Sequence, residues 1–68
     1  MDYFVKLDVE RIRLDLERVT ERPQTNEHVV EFVEALGLRR RDEVWFWAKE
    51  ESLVNFLEGE VLEKRPVE

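Results

Sequence analysis

The side chains most often used in catalysis are scarce in this sequence. It has no cysteine, a single histidine and only two glycines, which lie far apart. Thiol nucleophiles, cysteine-based zinc sites and a glycine-rich phosphate loop are therefore excluded. Close carboxylate pairs such as Glu50/Glu51 and Glu58/Glu60 are expected by chance among 17 acidic residues, and we interpret them as solvated. We expect a protein that is not an enzyme and needs no cofactor.

His28 and Glu31 form one arrangement that could begin a metal site. Their spacing of three places both side chains on one turn of a helix, where they could reach the same ion. Two ligands are too few without a third carboxylate or a second subunit. His28 also stands one turn before Phe32, where its ring can pack beside an apolar stripe. We therefore predict that His28 binds no metal and is dispensable for folding.

Arg39, Arg40 and Arg41 form a compact basic cluster. Such a cluster could bind phosphate. It also follows a predicted helix directly, and cations near a helix C-terminus complement the helix dipole. The structural role is the one we favour, with these arginines at the rim of an interaction surface.

The strongest indication of a function is the aromatic segment that contains Trp45 and Trp47. In a strand, these two indoles lie on one face and their neighbours on the other, so both faces are apolar. Three short helices can cover about one of these faces, and the other is then available to a partner, a second copy or a ligand. Tryptophan is common at interface hot spots, although both rings could equally fill the core of a small protein. The residues on the opposite face are Val44, Phe46 and Ala48.

Size and charge limit the remaining possibilities. The chain has 68 residues, 43% of them apolar and 41% charged, with a net charge of −6. This composition predicts one small folded domain rather than a disordered chain. An acidic protein repels phosphate backbones, so nucleic acid is not an expected partner. Neither a membrane-spanning segment nor a signal peptide is recognisable, and we expect a soluble cytoplasmic protein.

The first half of the chain predicts a strand and two helices. Apolar residues alternate over 3–7, and Asp8 is a suitable N-cap for a helix beginning at Val9. A single helix over 3–21 is the alternative. Thr25 or Asn26 can cap the next helix, which Gly37 ends in a left-handed conformation.

The second half predicts a strand over 44–48, a short helix over 53–57 with Ser52 as its N-cap, and a last strand over 60–65. The element order is then strand, helix, helix, strand, helix, strand. This order predicts a single α+β domain over 1–68, with helices packed on a short sheet. A small all-α bundle is the alternative.

A strand followed by two helices resembles the ribbon-helix-helix DNA-binding proteins in element order alone. This resemblance implies a nucleic-acid-associated regulator that dimerises through its N-terminal strand. However, the first strand offers no polar set suited to reading bases, and the aromatic segment has no place in that fold. We therefore favour a non-enzymatic protein-interaction module that binds another protein or forms a homodimer. Its predicted interface residues are Trp45, Trp47, Arg39, Arg40 and Arg41.

Overall fold

The computed structural model describes residues 2–67 and has an α+β architecture, as the sequence predicts. Two α-helices follow the first strand, and three further strands complete a four-stranded antiparallel sheet. The all-α alternative is therefore wrong. The elements are β1 (Asp2–Leu7), α1 (Val9–Thr20), α2 (Asn26–Ala35), β2 (Arg39–Arg40), β3 (Trp45–Lys49), the 3₁₀-helix η1 (Glu50–Asn55) and β4 (Val61–Pro66).

The first strand and helix meet at a side-chain cap. Asp8 Oδ1 accepts a hydrogen bond of 3.1 Å from the backbone N–H of Arg11, so one of the free donors at the start of α1 is satisfied. The single helix over 3–21 is therefore wrong, because the chain is extended before this cap.

The second helix has a cap at each end. Thr25 Oγ1 accepts a hydrogen bond from the His28 backbone N–H at 3.2 Å, and His28 Nδ1 accepts one from the Thr25 N–H at 3.5 Å. His28 is exposed, so our expectation that its ring packs beside the apolar stripe is wrong; the ring completes a capping box instead. At the other end, Gly37 adopts a φ of 101°, which only glycine accepts readily, and the following Leu38 is buried.

The sheet has the order β2-β3-β1-β4, so the first strand of the chain is central. The predicted aromatic strand is confirmed as β3, displaced by one residue from the expected range. The short strand β2 is an addition to the predicted order, formed where Arg39 pairs with Trp47 and Arg40 with Phe46.

The C-terminal third of the chain differs most from the expectation. The predicted helix over 53–57 is instead η1, which begins directly after β3 without a side-chain cap, so Ser52 is not an N-cap. The last strand begins one residue later than predicted and ends at Pro66. Proline is tolerated there because β4 is an edge strand.

The core lies between the helices and one face of the sheet. Val5, Leu7 and Phe46 from the sheet are buried against Ile12 of α1 and Val33 of α2. Leu53 and Phe56, in and just after η1, pack against the same cluster. Within residues 2–67, no helix has both the length and the apolar character needed to cross a bilayer.

Candidate interaction surface on the open face of the sheet

The two faces of the sheet have different environments. Val5, Phe46 and Ala48 are buried beneath the helices, and their neighbours along each strand therefore point to the opposite side. We call that opposite side the open face. Its residues are Asp2, Phe4 and Lys6 on β1, Arg39 and Arg41 in and after β2, Trp45, Trp47 and Lys49 on β3, and Glu63 and Arg65 on β4.

The strand register places an aromatic pair at the centre of the open face. Phe4 is opposite Trp47 on one side and Arg65 on the other, and Trp47 is in turn opposite Arg39. One row across all four strands therefore reads Arg39, Trp47, Phe4, Arg65. The Phe4 and Trp47 rings have centroids 4.2 Å apart and are tilted by 58°, which is a stabilising aromatic contact.

Two arginines lie over aromatic rings of this face. The Arg41 guanidinium carbon is 4.1 Å from the centroid of Phe4, and that of Arg65 is 5.3 Å from the centroid of Trp45. Both contacts are within the range of cation–π attraction. Trp45 and Phe4 are consequently half-buried, whereas Trp47 remains 40% exposed. The open face thus presents flat aromatic and guanidinium surfaces side by side.

Two shallow hollows include these groups. The first, of about 170 Å³, includes Trp47 together with Arg39 and Lys49 in its lining. The second, of about 330 Å³, is bordered by Phe4 and Trp45 together with the two stacked arginines. Each hollow therefore combines an aromatic surface with two cations and one carboxylate, Asp2 in the first and Asp42 in the second. Because the cations outnumber the acids, the arrangement suits a planar group that carries negative charge.

The charge of the open face is opposite to that of the chain as a whole. Five of its side chains are basic and two are acidic, although the net charge of the protein is −6. One of the acids, Glu63, is engaged by Arg65 at 3.1 Å. Such segregation produces a local positive potential that attracts anions despite the overall charge. The bases are Lys6, Arg39, Arg41, Lys49 and Arg65, and the acids are Asp2 and Glu63.

The structure brings together four of the five predicted interface residues. Trp45, Trp47, Arg39 and Arg41 share the open face. Arg40 does not, because it pairs with the buried Phe46 and therefore lies on the helix side of the sheet, near Val44. Three adjacent bases in an extended segment necessarily divide between two faces.

The ribbon-helix-helix-like dimer does not fit this sheet. That arrangement requires the first strand to pair with the same strand of a second copy. Here β1 is already hydrogen-bonded to β3 on one edge and to β4 on the other. It has no free edge for a second copy, so an interface through β1 pairing is not available in this fold.

A second polar site lies away from the open face, where Glu60 meets α1. Glu60 is only 5% exposed, and its Oε1 accepts a hydrogen bond of 2.7 Å from the Leu57 N–H. Burial raises the pKa of Glu60 and the neighbouring Asp15 carboxyl raises it further, whereas the Leu57 N–H and the charge of Arg11 lower it. Asp15 Oδ2 is buried and has no hydrogen-bond partner among the described residues. These observations fit two carboxyl groups that share one proton.

Sequence reasoning missed the β1 and β4 contributions to the open face. Phe4, Lys6 and Arg65 join the tryptophans only through strand pairing, for which the sequence carries no local signal. The alternation of Phe4 with Tyr3 and Val5 did indicate which side of β1 it occupies. Across residues 2–67, no group of three or more histidine and carboxylate side chains is placed to hold a metal ion.

Comparison with known proteins finds no matching family model, no matching curated protein and no matching solved structure. The functional argument therefore depends on the open face itself.

Proposed function

We propose that this protein is a non-enzymatic binding module and that the open face of its sheet binds an anionic partner. The observation that carries the proposal is the cluster of exposed bases around Trp47 on a sheet face that no helix covers. Neutralising the acidic residues does not explain why five basic side chains share one face, since ion pairs scattered over the surface would neutralise them equally well. The cytoplasmic location expected from the sequence is part of this proposal.

The charged residues on the helix side of the sheet differ from those of the open face. Its charged groups include ion pairs within α1, where Arg13 lies between Glu10 and Glu17. These pairs follow the three- and four-residue spacing that stabilises a helix and need no partner to explain them. Arg39 and Lys49, by contrast, border a hollow beside an exposed indole. The bases of the open face are therefore better placed to bind an anion than those of α1.

The test is retention of the folded protein on a sulfonate cation exchanger at pH 7 and low salt. A protein of net charge −6 is not expected to be retained unless its positive charges are concentrated. We expect the wild type to be retained and the double variant Arg39→Ala/Arg41→Ala to flow through. The matched control is Arg18→Ala/Arg22→Ala, which removes the same charge from exposed positions elsewhere and should leave retention unchanged. Flow-through of the wild type at the lowest salt would contradict the proposal.

Self-association through Trp45 and Trp47 is the second candidate, and the 40% exposure of Trp47 favours it. A symmetric interface places identical patches together. Two open faces would then bring like charges into contact, which weighs against this arrangement. Light scattering after size exclusion at tens of micromolar protein tests it directly. A dimer that Trp47→Glu converts to a folded monomer would support self-association, and a wild-type monomer would eliminate it.

A further inference from the structure

We propose that the anionic partner is single-stranded nucleic acid, with neighbouring bases stacked in the two hollows of the open face and the intervening phosphates bound by its arginines and lysines. This inference rests on the function proposed above and names the chemistry of the partner.

The pairing of flat surfaces with cations carries the inference. Phosphate groups alone need only basic side chains, and carboxylates of an acidic peptide need no aromatic ring beside them. Each hollow instead offers an aromatic ring, Trp47 in one and Trp45 with Phe4 in the other. Nucleotides combine a planar ring with an adjacent negative charge, and sheet aromatics are a general solution for stacking unpaired bases.

The spacing of the aromatic residues suits consecutive bases. Trp45 and Trp47 are two residues apart on β3, which corresponds to roughly 7 Å along a strand. Trp47 lines the first hollow and Phe4 the second, so their ring contact lies between the two hollows. A face of four strands accommodates two or three stacked nucleotides, as other sheet platforms do.

The arginines of the open face can serve both parts of a nucleotide. Arg41 and Arg65 each use one side of the guanidinium plane against an aromatic ring. The second side of each plane can stack on a base, while the N–H groups at its edge donate to phosphate oxygens. Arg39 and Lys49 extend this positive surface along the first hollow.

Base-paired nucleic acid does not fit this surface. The bases of a duplex are stacked on one another and unavailable to a protein ring, so sheet aromatics select unpaired strands. Reading a duplex groove would require a protruding helix or ribbon. The basic side chains and aromatic rings of the open face instead lie on the surface of the sheet itself, on both sides of the central strand β1.

The experiment measures fluorescence anisotropy of a labelled ten-nucleotide oligothymidylate in low salt at pH 7. Unlabelled oligothymidylate, inorganic polyphosphate, polyglutamate and a ten-base-pair duplex compete at equal total charge. We expect saturable binding that oligothymidylate displaces at least about tenfold more effectively than polyphosphate, because polyphosphate has no bases to stack on the rings. Binding should weaken as salt rises, because bound phosphates release counterions.

Variants of one position separate stacking from simple apolar contact. Trp47→Leu keeps an apolar side chain without a flat ring and should weaken oligothymidylate binding about fivefold or more. Trp47→Tyr restores a ring and should recover most of the affinity. Arg39→Ala should weaken binding and reduce its salt dependence, whereas the exposed control Arg18→Ala should change neither. Circular dichroism establishes that each variant is folded.

The possible failures are distinguishable. If polyphosphate or polyglutamate competes as well as oligothymidylate, the partner is a generic anion or an acidic protein, and the nucleic-acid inference is wrong while the proposed function stands. Equal binding by wild type and Trp47→Leu would refute stacking. If no polyanion binds the wild type at low salt, both proposals are wrong.

Discussion

Phe46 and Trp47 are adjacent on β3, yet they occupy opposite environments. Phe46 is fully buried beneath the helices, and Trp47 is 40% exposed on the open face. Alternation along the strand separates them, and the placement of both helices on one side of the sheet determines which residue is covered. A strand that is apolar on both faces therefore serves two purposes, one in the core and one at a surface.

The open face is not simply an uncovered core. Its rings are partly shielded by Arg41 and Arg65. Among the described residues, the buried side chains are apolar except for Glu60, which lies beside Asp15. The basic residues on the covered side, Arg40 and Lys64, are exposed on the two edge strands. Exposed aromatic rings that are interleaved with cations remain compatible with water, because guanidinium groups stack on rings while staying hydrated at their edges. This difference distinguishes the open face from an aggregation-prone apolar patch.

Of the variants considered, truncation of the buried Phe46 should reduce the free energy of unfolding most. Phe46→Ala leaves a cavity among Val5, Val33 and Leu38, and it should reduce the free energy of unfolding by about 3–5 kcal/mol. Chemical denaturation followed by circular dichroism measures this change. Because small domains have little more stability than that, Phe46→Leu provides a graded variant with a smaller loss. A loss below about 1 kcal/mol for Phe46→Ala would contradict the assignment of Phe46 to the core.

Truncation of the exposed member should have a smaller effect on stability. Trp47→Ala removes the contact with Phe4 but leaves no enclosed cavity, so we expect a loss of about 1–2 kcal/mol. The same denaturation experiment measures it. A loss as large as that of Phe46→Ala would mean that the open face is covered in solution, for instance by a second copy.

Local sequence signals could predict where helices and strands lie but not which strands pair with one another. Asp8, Thr25 and Gly37 mark helix ends through interactions within a few residues, and each was recognisable. Alternation also predicted that Trp45 and Trp47 share a face. The register that places Phe4 beside Trp47 joins residues far apart in the chain, and no local pattern specifies it.

Two further features depended on the whole fold. The segment after β3 forms the 3₁₀-helix η1, although Ser52 and the apolar residues that follow it resemble a capped α-helix in sequence. In the sequence Glu60 is one of many acidic residues, and only the fold, which places it beside Asp15 and Leu57, shows that it is buried. Composition cannot reveal which of 17 acidic residues the fold will enclose.

The buried acid on the helix side provides the next prediction. Glu60→Gln should raise the free energy of unfolding at pH 7 by about 1 kcal/mol, because an amide carries no buried charge and its N–H can donate to Asp15 Oδ2. Since the folded-state pKa of Glu60 is raised, the protonated wild-type side chain stabilises the fold fully below its ordinary pKa of 4.5. That contribution is lost as pH rises through the raised value.

The advantage of Glu60→Gln over the wild type should therefore be small at acid pH and grow towards neutrality. Thermal unfolding of both proteins across this range measures the difference. Glu58→Gln is a matched control at a nearby exposed position and should show no such trend. A pH-independent difference for Glu60→Gln would mean that Glu60 does not titrate differently in the folded state.

The smallest effect is expected at His28, on the outer surface of the helical layer. This surface is as exposed as the open face, but its side chains have local structural roles. His28→Gln should change the free energy of unfolding by less than about 0.5 kcal/mol, because glutamine at this position can complete the same capping box with Thr25. Thr25→Ala removes the other half of the box and should cost about 1 kcal/mol.

His28→Gln should also leave oligothymidylate binding unchanged, and added zinc should not alter the melting temperature of the wild type. A zinc-dependent rise in melting temperature that His28→Gln abolishes would show that a metal binds this surface, and that exposed helical residues, as well as the open face, have a binding role.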